Sequence, residues 1–235
     1  MAEITFDLRF DGRTLPVRVE VPGGPARPVD LLPVLHEING KLIEAAAGDR
    51  QVSCQAGCGA CCRQIVPISE TEARYLADLV AALPDERRRR VIARFGAVLR
   101  ALAESGMLAR LGSEQADWHQ LGLDYFRLGI ACPFLEDESC SIHPHRPASC
   151  REYLVTSPAA NCASPTADNI AMVELPAKMS RVLNRFSDGR GDAPARWMAL
   201  PLLLEWAAEH CRDPQPVLPG AELLRNFMNR LVGRV

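Results

Sequence analysis

Apolar and polar side chains alternate at the start of the chain, with Ile4, Phe6, Leu8 and Phe10 in one run and Leu15, Val17, Val19 and Val21 in the next. A period of two places each set on one face of a strand. Asp11-Gly12 between the runs has the chemistry of a tight hairpin turn, and Pro22-Gly23-Gly24-Pro25 ends the second strand. From about Val29 to Ala47 the period changes, and Leu31, Leu32, Leu35, Ile38, Leu42 and Ile43 form the stripe of a helix. An isolated hairpin is marginal in water, so residues 1–48 are predicted to be a hairpin-plus-helix appendage that packs on the rest. Ser69 and Glu72 have the spacing of a capping box, opening a helix that carries Ala73, Leu76, Leu79 and Val80. Pro84 breaks that helix and begins another, which runs to about Ala103. Residues 105–130 predict short helix and turn. Helical patterns return near 170–187, 194–210 and 220–232, so residues 167–235 are expected to pack as C-terminal helices on the domain before them.

Two stretches follow neither period, and they hold eight of the nine cysteines. Cys54, Cys58, Cys61 and Cys62 are separated by three residues, two and none, with Gly57 and Gly59 among them. Cys132, Cys140, Cys150 and Cys162 lie in a stretch rich in proline and polar residues, at gaps of seven, nine and eleven. Cys211 stands apart. The fold class is therefore mainly α with a small N-terminal β-hairpin, and residues 49–166 are predicted to be irregular cysteine-rich loops organised around a metal or iron–sulfur centre. Thiolates at short spacings are what borderline metals and iron–sulfur clusters need.

A disulfide framework is the competing reading, and composition argues against it. Such frameworks belong to small secreted domains without a sufficient core, whereas 235 residues at 48% hydrophobic content supply one. The start Met-Ala-Glu-Ile-Thr-Phe-Asp has no basic segment leading into an apolar run, so no signal peptide is visible and a cytoplasmic location is expected. Lys plus Arg total 27 against 29 acidic residues, a net charge of −2, so no nucleic-acid partner is predicted. The basic run Arg87–Arg90 follows Asp85 and Glu86 in a helical pattern and reads as a solvated face. No apolar stretch reaches the length of a membrane span.

Cys54, Cys58 and Cys61 have the C-x-x-x-C-x-x-C spacing that holds a four-iron cluster in radical S-adenosylmethionine enzymes. Ala60 stands where those enzymes usually carry an aromatic residue, and the alternating strands and helices of their barrel do not follow. Neighbouring side chains of an extended chain point in opposite directions, so Cys61 and Cys62 are expected to serve two centres, or one of them to ligate while the other packs or takes part in redox chemistry. Gly57 and Gly59 would let backbone N–H groups approach the sulfurs of a cluster. In the second group Pro133, Pro144 and Pro147 stiffen the loop. His143 and His145 are candidate extra ligands, and Arg146 and Arg151 candidate donors that offset thiolate charge. Cys211, beside His210, reads as a buried or idle thiol.

The run Cys54-Gln-Ala-Gly-Cys58-Gly-Ala-Cys61-Cys62, followed by Cys132-Pro-Phe-Leu and Cys140-Ser-Ile-His-Pro-His-Arg-Pro-Ala-Ser-Cys150-Arg-Glu-Tyr, resembles the YkgJ-type cysteine-cluster family. The resemblance covers about residues 50–165. It implies a cysteine-ligated zinc or iron–sulfur centre and no established reaction; the His143 position is commonly tyrosine in that family. Flagellin lysine methylases carry a similar cysteine cluster, which by analogy keeps methyltransferase-like group transfer open.

Structural zinc sites usually pair two C-x-x-C knuckles, and here only Cys58 and Cys61 have that spacing. Three close cysteines with a distant fourth fit a four-iron (4Fe-4S) cluster better, with zinc as the alternative. Cys54, Cys58, Cys61 and Cys150 lead the ligand set, followed by Cys62, Cys132, Cys140 and Cys162. Three functions stay open: a centre that holds the fold or senses redox state, a cluster-dependent group-transfer enzyme, and a zinc- or iron-handling protein. No residue pattern specifies a small-molecule or protein substrate, and no familiar catalytic motif appears.

Overall fold

A computed structural model of the chain describes residues 1–10, 12–55, 57–112, 117–166 and 168–233. Asp11 of the predicted turn, Ala56 of the first cysteine loop and residues 113–116 of the ambiguous segment lie outside the described residues.

Strands β1 (Ala2–Phe10) and β2 (Arg13–Val21) pair antiparallel, with Ile4 opposite Val19, Phe6 opposite Val17 and Leu8 opposite Leu15. The alternation predicted from sequence is seen directly, since Val17, Val19 and Val21 are buried while their neighbours in β2 face out. A short β3 (Pro25–Ala26) leads into helix α1 (Pro28–Ala47), whose buried residues include Leu31, Leu32, Leu35 and Ile38. The hairpin does not rest on α1 alone. One apolar cluster joins it to α1, to α7 (Met179–Leu183), to Phe186 and to α9 (Gly220–Leu231), with Phe186 edge-on to Phe227 at 5.0 Å.

Strand β4 (Pro67–Ser69) enters α2 (Glu70–Ala81), and the capping box forms as predicted. The Glu72 N–H donates to Ser69 Oγ at 3.2 Å and the Ser69 N–H to Glu72 Oε2 at 2.8 Å. Helix α3 (Asp85–Glu104) follows Pro84, and α4 (Met107–Leu111) and α5 (Trp118–Arg127) occupy the ambiguous segment. A two-strand turn, β5 (Leu135–Glu136) with β6 (Ser139–Cys140), precedes α6 (Ala148–Glu152). Ile68, Leu76, Val91, Phe95, Phe134 and Leu203 form a second apolar cluster, against which Cys132 and Cys140 pack. Phe134 is 1% exposed and edge-on to Phe95 at 5.3 Å. Its burial contributes roughly 2–3 kcal/mol and fixes the chain two residues after Cys132.

The C-terminal third departs from the predicted pattern. Near 170–187 only Met179–Leu183 is helical, while the Val173 N–H donates to the Leu154 carbonyl and the Thr156 N–H to the Ala171 carbonyl, each at 2.8 Å. Pro176 interrupts any helix there, and the free backbone groups pair with residues 154–156 instead. Near 194–210, β7 (Trp197–Ala199) pairs with β4, a 3-10 turn follows at Leu200–Leu202, and α8 begins only at Leu203. Pro201 again marks the boundary. Strand β8 (Leu218–Pro219) pairs with β3 just before α9. About half the chain is helical and the strand pairs are all small and antiparallel. Among the described residues no helix is long and apolar enough to cross a membrane.

Candidate metal centre

Four loops separated by up to a hundred residues bring the cysteines together, and backbone hydrogen bonds hold them there. The Ser53 N–H donates to the Val155 carbonyl at 2.8 Å, tying the first cysteine loop to the strand-like stretch after Cys150. Residues Ala60–Arg63 form a 3-10 turn, closed by the Cys62 N–H on the Gly59 carbonyl at 3.0 Å. The Cys132 N–H donates to the Cys62 carbonyl at 2.7 Å, which stitches the second group to the first. Cys140 sits opposite Leu135 in the β5–β6 turn. Cys150 lies in the first turn of α6, whose start is fixed by the Ala148 N–H on Glu72 Oε1 at 2.8 Å and by Ser149 Oγ on the Pro67 carbonyl at 2.9 Å. Cys162 is buried in the 3-10 turn Ala159–Ala163.

The thiols feel one another in two sets. The neighbouring Cys62 thiol draws Cys61 down to about 6, and Arg146 helps against the cost of burial. The Cys61 thiol in turn pushes Cys62 up; burial and the charges of Cys61, Cys132 and Cys140 add to it. Burial pushes Cys132 up to about 12, with Cys140 and Cys61 acting the same way. Burial raises Cys150 well above the ordinary thiol range, and Cys132, Cys140 and Cys61 push in the same direction. Burial likewise raises Cys162, but the charges around it are those of Cys54, Cys58 and Cys61. Cys61 thus stands among the neighbours of both sets. Packing thiols whose charges oppose each other is costly unless a metal cation neutralises them, so the donor set suits a thiophilic metal. Among the described residues no three Cys, His, Asp or Glu side chains yet stand in the geometry of a single-ion cage.

Several expectations change here. Cys61 and Cys62 are not in extended chain but in the 3-10 turn that starts after Gly59, and each thiol dominates the other's electrostatic surroundings. Gly59 serves a close approach of a different kind, because a Cβ there would lie 2.9 Å from Leu135 Cδ1 and 3.1 Å from the Glu138 carbonyl oxygen. Cys211 is exposed rather than buried, and the charges around it are Arg74, Asp78 and Asp213, not other cysteines. His143 is exposed, and His145 Nδ1 lies 2.7 Å from the Tyr75 hydroxyl. Arg87 is not simply solvated: it donates to the Ser141 carbonyl at 2.7 Å, beside Cys140.

Several residues around the centre were not singled out from sequence. Arg63 pairs with Glu138, and Arg94 with Glu136, across the β5–β6 turn. Buried His36 accepts from Arg151 Nη2 at 3.4 Å and is edge-on to Tyr75. Burial, then the charges of Arg151 and His145, lower His36 to about 3, so it is neutral near pH 7. Its signal in the sequence was its place on the buried stripe of α1. A cavity of about 580 Å³ lies between α2 and α8 beside Arg74, Arg196, Trp206 and His210, and no cysteine lines it.

The model of one protein family matches residues 53–169; it is the CxxCxxCC family, described as a putative zinc- or iron-chelating domain. The span begins one residue before Cys54 and ends after Cys162, taking in all eight cysteines of the two groups. No curated protein and no solved structure matches the chain.

Proposed function

With the model of the CxxCxxCC family, described as a putative zinc- or iron-chelating domain, matching residues 53–169, we propose that the chain is a metal-binding protein whose eight clustered cysteines hold an iron–sulfur centre. The observation that carries this reading is the mixing of the two groups. Cys132, Cys140 and Cys150 share electrostatic surroundings with Cys61, while Cys162 joins Cys54 and Cys58. Cys61 neighbours both sets and Cys62 neighbours Cys132 and Cys140, so giving one of the adjacent pair to each set makes the reading Cys54, Cys58, Cys61 and Cys162 on one side and Cys62, Cys132, Cys140 and Cys150 on the other. Four thiolates each would suit two 4Fe-4S clusters set side by side across the Cys61–Cys62 pair. Bound there, a cluster would supply one-electron redox chemistry. The chain's own residues gather the thiols, lower Cys61 and bury Cys162; the raised thiols would give up their protons only to a bound metal.

The same division favours a second reading, because each tetrad also has the composition of a closed zinc site. Group-transfer chemistry has less support, since the 580 Å³ cavity between α2 and α8 is not lined by cysteine. The two leading readings separate on iron and acid-labile sulfide, measured on protein purified without oxygen. Cys150→Ser and Cys162→Ser should each remove about half of the bound metal. Loss of all metal in both would merge the tetrads into one centre, and loss in neither would sink the ligand assignment.

A further inference from the structure

The turn that carries Cys140 is held from two sides by arginines. Arg63, the residue after Cys62, donates from Nη1 and Nη2 to the two carboxylate oxygens of Glu138 at 2.9 and 2.6 Å, and from Nη1 to the Gly59 carbonyl at 3.0 Å. One guanidinium thus closes the Cys61–Cys62 turn and grips the β5–β6 turn at once. The flat, two-point contact with Glu138 fixes orientation as well as distance. From the other side Arg94 of α3 pairs with Glu136, and Arg87 with the Ser141 carbonyl. Asp137 and Glu138 both have positive φ, 47° and 55°, a conformation that side chains without special support seldom adopt. Its compensation here is the aim it gives Glu138, straight at Arg63 and over the bare face of Gly59.

We propose that the Arg63–Glu138 pair is a latch that positions the metal-binding thiols, locking the Cys132–Cys140 segment onto the Cys61–Cys62 turn before metal arrives. The proposal rests on the reading of the cysteines as ligands. The pair is partly exposed, with 32% and 52% of the two side chains accessible, so it can open without unfolding the core beneath it. A latch of this kind lowers the entropy lost when the thiols close on a metal, and so slows metal release.

The test uses the full chain as wild type, Arg63→Glu, Glu138→Arg and the double exchange. In metal-free reduced protein, alkylation of Cys132 and Cys140 by iodoacetamide is followed by mass spectrometry. In metal-loaded protein, the rate of metal loss to a chelator is followed optically. Each single reversal should speed both processes about three- to tenfold, and the double exchange should bring both back to within about twofold of wild type. Singles that behave as wild type, or a double variant as fast as the singles, would overturn the latch. Faster alkylation with unchanged metal loss would overturn its role in positioning ligands. If wild type binds no metal at all, the functional reading fails instead, and the alkylation arm alone still decides whether the two turns are locked together.

Discussion

Replacing Glu72 by alanine should be among the most damaging single changes outside the cysteines. Glu72 is 1% exposed, and its carboxylate accepts the Ser69 N–H, the Ser69 hydroxyl and the Ala148 N–H, each at 2.8 Å. The first two complete the cap of α2; the third pins the start of α6, two residues before Cys150. Alanine leaves three buried donors without an acceptor. At roughly 1–3 kcal/mol for each group, less what local relaxation recovers, the loss should be about 3–5 kcal/mol. For a chain of this size that corresponds to a fall in Tm of roughly 10 °C. Urea unfolding of Glu72→Ala beside Glu70→Ala measures it, because Glu70 makes only a 3.5 Å pair with an exposed Arg196 and should cost under about 1 kcal/mol. Glu72→Gln keeps one carbonyl acceptor and should fall between them. Cys150 should also alkylate faster in Glu72→Ala under native conditions. A Glu72→Ala protein within about 1 kcal/mol of Glu70→Ala would refute the reasoning, since the carboxylate would then not be what joins α2 to α6.

Three further outcomes follow from the same geometry. His36 titrates at about 3 in the fold against 6.5 when free, so the unfolded chain binds more protons between those values and stability falls as pH drops below 6.5. The loss from pH 7 to pH 5 should be about 2 kcal/mol and should largely vanish in His36→Gln, read from urea midpoints at the two pH values. Gly59→Ala forces a Cβ to within 2.9 Å of Leu135 and should cost about 1–2 kcal/mol in the same unfolding assay; no change would mean the two turns are not in close contact. Cys58→Ser should lose bound metal and melt earlier, whereas Cys211→Ser should match wild type in both metal content and Tm, and metal loss there would undo the grouping.

The parts of the fold that could be read from sequence are those set by local period and local capping. The β1–β2 alternation, the Ser69–Glu72 box and the break at Pro84 all act within a few residues. Residues 170–210 were harder because apolar spacing there mimics a helix while Pro176, Pro194 and Pro201 deny it hydrogen-bond donors, and the chain pairs with distant strands instead. At the centre, the kind of ligand was legible and the company each keeps was not. Cys54, Cys58, Cys61 and Cys150 lead the ligand set by sequence, and of the first three only Cys61 is among the charged neighbours of Cys150. That arrangement depends on contacts such as Cys62 with Cys132 and Ser53 with Val155, which span 70 and about 100 residues and leave no local mark. The Arg63–Glu138 pair is of the same kind.

The most direct test of the account is the iron, zinc and acid-labile sulfide content of wild-type protein purified under anaerobic, reducing conditions. The account predicts iron with matching sulfide and a broad absorption near roughly 400 nm, as such clusters give. Zinc at two ions per chain without sulfide would keep the ligand sets and replace the cluster. Protein that holds neither metal with its cysteines reduced would contradict the claim that these eight thiols form a metal centre.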